Sequence, residues 1–343
     1  MKGYNIKKIY KEILFKNLKY YKSFNKKICA MVKADAYGHG LCEIVDLLKK
    51  DVDYFGVSNI FEALKIREIS KKSKILIVGK VFDFSKCKDN NLEFMVENVR
   101  EIEFVNKIEC EKLMHLKIDC GMNRYGVKEE CELKSIRELC EHNKISFNGV
   151  FTHFPYLSNK KITKNNYNNF LKKIKILGNL SKNIIHFGGS NIINYDFNYD
   201  MIRVGIGLYG YENINVVPIM KIFSKVLDIK EIKKDGYLGY NYEFKSNKDT
   251  KIAILSIGYG DGLLRLMKDE FVFINGKRCK IIGNICMDVC FIEINNIELN
   301  IGDYVEMVWN VEKIAKKSRT IPYEILTNFS KTRCEIEIVW YFF

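Results

Sequence analysis

A closed (β/α)8 barrel followed by a mostly antiparallel β domain is the architecture predicted for this 343-residue chain. Three observations point to it. Between residues 28 and 210, short apolar runs alternate with longer amphipathic ones. Each apolar run is bounded by Gly or polar residues, as expected of strands buried on both faces of a parallel sheet. After Gly210 the pattern changes to closely spaced strands joined by tight turns.

The predicted barrel strands lie at 28–32, 54–57, 75–78, 94–96, 113–118, 149–153, 184–187 and 202–206. Helix-like segments at 41–50, 60–70, 133–142 and 164–180 separate several of them. Eight strands with intervening helices favour the closed barrel over its main competitor, an open doubly wound sheet. In the second half, strands are expected at 221–233, 251–257, 271–274, 278–282, 288–294 and 303–307. Their turns are Asp235-Gly236, Asn275-Gly276 and Gly302-Asp303, which suit hairpins. The boundary falls near 211–217, so the domains are read as 1–215 and 216–343.

Composition excludes several classes. With 47% hydrophobic and 29% charged residues, the chain is neither disordered nor collagen-like. It carries 56 Lys and Arg against 42 Asp and Glu, a net charge of +14. The lysines are spread along the chain rather than gathered into blocks, so a nucleic-acid partner is not expected. No run of 18 apolar residues exists, and no membrane span is expected. The basic N-terminus lacks the apolar core of a signal peptide, so the expected location is the cytoplasm. Eleven Cys at irregular spacings, none as CxxC, and five scattered His read as reduced thiols without a metal site.

Barrels of this class carry their chemistry at the C-terminal ends of strands. Lys33, Arg124, His153, Ser190 and Arg203 stand at or just after such ends. Desolvation at a strand end lowers an amine's pKa, which lets Lys33 act as a nucleophile toward a carbonyl. Gly188-Gly189-Ser190-Asn191 follows a strand and offers backbone amides and a hydroxyl to an anion.

The motif around Lys33, Val32-Lys33-Ala34-Asp35-Ala36-Tyr37-Gly38-His39-Gly40, resembles the cofactor-lysine motif of the alanine racemases. The resemblance continues through Lys117-Ile118-Asp119-Cys120-Gly121-Met122-Asn123-Arg124-Tyr125-Gly126, Phe151-Thr152-His153-Phe154 and Met201-Ile202-Arg203-Val204-Gly205-Ile206-Gly207-Leu208-Tyr209-Gly210. It extends into the second half with Ile257-Gly258-Tyr259-Gly260-Asp261-Gly262 and Cys286-Met287-Asp288. All six blocks stand in the family's order.

The resemblance implies a pyridoxal 5′-phosphate (PLP) enzyme that removes the α-proton of a small amino acid from one face and returns it to the other. Such chemistry needs two acid/base groups on opposite sides of a planar intermediate. Lys33 is implied as the cofactor lysine and one base, and Tyr259 of the partner subunit as the other, in a homodimer with shared sites. A phenol with a pKa near 10 needs help to ionise, and His153 and Arg203 are implied as that help. Arg203 is also implied to face the pyridine nitrogen. Tyr37, Ser190 and the amides of Gly205 and Ile206 are implied at the phosphate. Arg124, with the partner subunit's Met287 and Asp288, is implied at the substrate carboxylate, and Lys117 is implied as a carbamylated lysine holding Arg124. D-alanine for peptidoglycan is the implied product.

Four departures from the family pattern stand out. Gly189 replaces a polar residue before the serine, Asn284 replaces an arginine, Lys331 replaces a tyrosine, and the N-terminal strand is short or altered. They leave serine or another amino acid as an alternative substrate. Two other readings are a PLP decarboxylase and a non-catalytic PLP-binding barrel. Relatives of the first are longer and generally lack a base like Tyr259; those of the second lack the β domain.

Overall fold

A computed structural model describes residues 3–307, 310–330 and 333–340. Its contacts divide the chain into two units. One comprises residues 14–36 and 41–217; the other comprises 1–13, 37–40 and 218–343.

The first unit is a closed barrel of eight parallel strands: Lys27–Met31, Tyr54–Val57, Lys74–Ile77, Glu93–Val96, Met114–Lys117, Gly149–His153, Ile184–Gly188 and Met201–Val204. The last pairs with the first in register Lys27↔Met201 to Ala30↔Val204, which closes the ring. Most strand residues are buried on both faces, which is why the strands read as apolar runs rather than alternating ones. Helices Leu41–Leu48, Ile60–Ile69, Glu130–Asn143 and Lys160–Leu177 cover the outside. Asn59 caps the second of these, its side chain accepting from the Glu62 amide, and Asn159 does the same for the last through Ile162.

The last strand ends at Val204 rather than 206. Gly205 is the turn point, where the chain leaves the ladder and frees the next amides from strand pairing.

The second unit is built on an eight-stranded sheet. The long strand Met220–Ile232 pairs antiparallel with Thr250–Leu255, Tyr304–Met307 and Asn5–Tyr10. Asn5–Tyr10 also pairs in parallel with Cys334–Val339. Here the structure departs from the 1–215 boundary: the first thirteen residues and 37–40 group with the second half. The expected short or altered N-terminal strand is six residues long and held on both edges. The physical reason is backbone pairing with partners remote in sequence, which local patterning does not report. The strand expected at 288–294 begins at Cys290, leaving Met287 and Asp288 in the loop before it. No described helix is long and apolar enough to cross a membrane.

Candidate active site

Lys33 follows the first barrel strand and opens the short helical segment Lys33–Gly38. Residues 34–37 all have φ between 51° and 55°, one turn of left-handed helix built from non-glycine residues. Each such residue costs about 1–2 kcal/mol, so the turn persists only where its surroundings hold it. Glu62 supplies part of that hold: its Oε1 accepts from the Ala34 amide at 2.7 Å, and its Oε2 from the amide and hydroxyl of Ser58. Asp35 Oδ1 accepts from the Leu41 amide at the far end. Tyr37, predicted at the phosphate, is buried, with its ring centroid 5.8 Å from that of Tyr323.

His153, Gly188 and Arg203 form a row across three adjacent strands, in register His153↔Gly188↔Arg203. A Cβ at Gly188 would lie 2.4 Å from His153 Nδ1 and 2.6 Å from Arg203 Nη2. Glycine is therefore what lets imidazole and guanidinium share this level of the barrel. Arg203 is buried; its Nη2 donates to Thr152 O at 2.8 Å and its Cζ stands 4.6 Å from the Phe151 ring centroid.

Positive charge gathers around that row. Burial, then the charges of Arg203, Arg124, Lys117 and Lys33, push His153 down to about 3, so its imidazole is neutral near pH 7. Burial and the nearby arginines push Lys117 down to about 8. Lys33 is lowered by burial and by Arg124, against which Glu62 acts in the raising direction. Burial lowers Arg203 to about 10, which still leaves it charged near pH 7. Arg124 lies exposed on a loop closed where Val127 N–H donates to Lys117 O and Asp119 N–H donates to Val127 O.

An anion cradle lies after two other strands. Gly189 has φ 114°, and Ser190 Oγ accepts from the Gly207 amide at 3.0 Å. The amides of Gly205 and Ile206 are buried, and neither donates to an acceptor among the described residues. A buried, unpaired N–H is costly, and two in succession suit an anionic oxygen. A Cβ at Gly207 would fall 1.9 Å from Tyr21 Oη and 2.8 Å from Ser190 Cβ, so the cradle has no spare room.

Tyr259, Met287 and Asp288 belong to the second unit. The Tyr259 amide donates to Cys286 O at 3.0 Å and the Gly260 amide to Met287 O at 2.8 Å, which zips the two loops together. A Cβ at Gly258 would lie 2.3 Å from Met287 O, so that close approach requires glycine. Arg333 straps the same loops, reaching buried Asp261 at 3.2 Å and Asp288 at 2.8 Å. Tyr259 is 39% exposed and Met287 53%, more than core packing would leave. Asn284 donates to Tyr240 O, and Lys331 lies outside the described residues. Among the described residues, no His, Cys, Asp and Glu cluster could hold a metal.

Sequence reasoning missed Glu62, Arg333 and three interior polar residues, Glu93, His115 and His186. The two histidines sit inside apolar strands, Met114–Lys117 and Ile184–Gly188. A polar residue at an interior strand position was the available signal.

The alanine racemase N-terminal domain model matches residues 11–213, and the C-terminal domain model matches 219–337. An alanine racemase of Borreliella burgdorferi (strain ZS7) is 36% identical over 333 residues, covering 89% of each chain. The solved alanine racemase of Clostridium difficile 630 is 31% identical with a TM-score of 0.87, covering 95% of this chain and 93% of that one. That of E. faecalis is 26% identical with a TM-score of 0.89, covering 98% of each. With both domain models in sequence and relatives matched over nearly their whole length, the chain belongs to the alanine racemase family.

Proposed function

We propose that the protein interconverts L- and D-alanine with PLP as cofactor, working as a homodimer that supplies D-alanine for peptidoglycan. The observation that carries this reading is the barrel-end cluster: Lys33, Lys117, Arg124 and Arg203 gathered around His153, with the Gly205 and Ile206 amides left without an acceptor among the described residues.

The residues fit the cofactor. Lys33 offers the amine, and the Gly205 and Ile206 amides, with Ser190 and Tyr37, offer a phosphate cradle. Arg203 offers a cation for the ring nitrogen. When bound, the pyridoxal group supplies an electron sink beside the substrate α-carbon. Lys33 Nζ carries the proton on one face, and Tyr259 Oη of the partner subunit on the other. Neutral His153 can accept a hydrogen bond from the tyrosine without adding charge. Because Arg203 stays protonated, a ring nitrogen facing it stays unprotonated, which disfavours transamination and decarboxylation. Arg124 holds the substrate carboxylate, aided by the partner subunit's Met287 and Asp288. Carbamylated Lys117 would anchor Arg124.

Absorption spectroscopy of the purified chain with added PLP, followed by chiral analysis after incubation with L-alanine and L-serine, tests the reading. A visible band with D-alanine formed is the expected result. D-serine in excess would redirect the substrate, and no band would overturn the cofactor. Tyr259→Phe should keep the band and lose racemisation. Sedimentation showing a fully active monomer would remove the shared site.

A further inference from the structure

Beneath the candidate site, the barrel interior holds a line of polar side chains that the proposed chemistry does not use. Arg203 Nη1 donates to His186 Nδ1 at 2.6 Å. His186 Nε2 lies 2.9 Å from His115 Nδ1, and His115 Nε2 lies 2.6 Å from Glu93 Oε2. Asn148 Nδ2 also donates to Glu93 Oε2, at 2.6 Å. The histidines are fully buried, Arg203 is 4% exposed and Glu93 6%. Arg203, His186, His115 and Glu93 come from four different strands and Asn148 stands just before a fifth, so no single local motif explains the alignment.

The direction of every hydrogen bond follows from the two ends. A guanidinium only donates, so His186 Nδ1 must be bare. A neutral imidazole then carries its proton on Nε2 and donates it to His115 Nδ1. That nitrogen is bare in turn, so His115 donates from Nε2 to Glu93 Oε2, which accepts. A protonated His115 would present a donor to His186 Nε2, leaving His186 with no proton of its own, an imidazolate. Burial and the Arg203 charge oppose any added proton on His186. The Phe151 ring stacks on His186 at 4.6 Å and 15°, which limits its rotation.

We propose that Glu93 and His115 are positioning residues: through His186 they fix the tautomers of a one-way relay that holds the Arg203 guanidinium in its pose toward the cofactor ring. The proposal rests on the reading of Arg203 given under Proposed function. The carboxylate acts at a distance, by accepting the last proton of the line, so that the tautomers the guanidinium demands leave no buried N–H unpaired.

Nitrogen-15 NMR of the full-length, histidine-labelled protein at neutral pH reads the relay without turnover. Both His115 and His186 are expected as neutral Nε2–H tautomers. Either one found as Nδ1–H, or His115 found protonated, overturns the relay. Glu93→Leu removes the terminal acceptor. Outer partners of metal-bound imidazoles cost about 10–100-fold when lost, and a fall of about tenfold in kcat is expected here, with KM for the amino acid little changed. Glu93→Gln, which keeps an accepting oxygen, should preserve the tautomers and recover most of kcat. If Glu93→Leu does not fold, the parent and Glu93→Gln spectra still decide the tautomers. Parent-like kcat per bound cofactor in Glu93→Leu overturns the positioning role. A parent that binds no PLP fails the functional reading instead, while its spectra still report the relay.

Discussion

The Ala34 amide donates to Glu62 Oε1 at 2.7 Å, tying the residue after Lys33 to helix Ile60–Ile69. This bond faces the left-handed turn, so Glu62 has two tasks: holding strained backbone and raising the Lys33 amine against its burial. Glu62→Gln keeps one accepting oxygen but turns an amide NH2 toward the Ala34 or the Ser58 donors, and should cost about 1–3 kcal/mol, the range for a donor left without its acceptor. It should also lower the Lys33 pKa further, because a negative neighbour is gone. Urea unfolding checks the first effect, and the pH dependence of pyridoxal capture checks the second.

Lys117 at about 8 leaves a useful fraction of neutral amine near pH 7. Its Nζ can add to carbon dioxide; an N–C bond forms, one C=O π pair moves to oxygen, and a proton is released. The product is an anion beside Arg124 in place of a cation. With carbon-13 bicarbonate, a carbamate resonance should appear in the parent and vanish in Lys117→Ala. No resonance in the parent would rule the modification out under those conditions.

His153 is held at about 3 in the folded chain against an ordinary value of 6.5. Between those values the unfolded chain binds more protons, so stability rises with pH across the window and is lost as pH falls through it. His153→Phe removes this penalty on the acid side. Its acid-unfolding midpoint should shift to lower pH than the parent's, while above about pH 7, where the imidazole is neutral folded or unfolded, the group adds no pH dependence to either chain.

Gly207→Ala would drive a methyl group against Tyr21 Oη and Ser190 Cβ. If overpacking of about 1–3 kcal/mol falls on the cradle, PLP binding weakens by roughly 5- to 150-fold. Tyr21→Phe in the same chain removes the contacting oxygen and should recover part of that affinity. Equal PLP titration curves for parent and Gly207→Ala would exclude the cradle from phosphate binding.

The barrel was legible because its strands are buried on both faces, as in Tyr54–Val57, and uninterrupted apolar runs are the signature of that burial. Lys33, His153 and Arg203 were legible because they stand where those runs stop or break. Asn5–Tyr10 was not, since Lys7 and Lys8 interrupt its pattern. Lys7 is nonetheless buried, its Nζ donating to Gly38 O and Phe329 O. Cys334–Val339 escaped for the same reason, alternating Glu335 and Glu337 with apolar residues at a half-exposed edge. The hydrogen bonds from Arg203 to Glu93 depend on which strands adjoin around the ring, which a single sequence does not print.

The strand Asn5–Tyr10 lies between Met220–Ile232 and Cys334–Val339. It precedes every barrel strand along the chain, yet the partner on its second edge follows all of them. The barrel strands can all be made before that partner, whereas both edges of Asn5–Tyr10 wait for strands made after the whole barrel. Swapping the second half between relatives therefore transfers a sheet lacking an interior strand, and a clean exchange has to carry residues 1–13 with it.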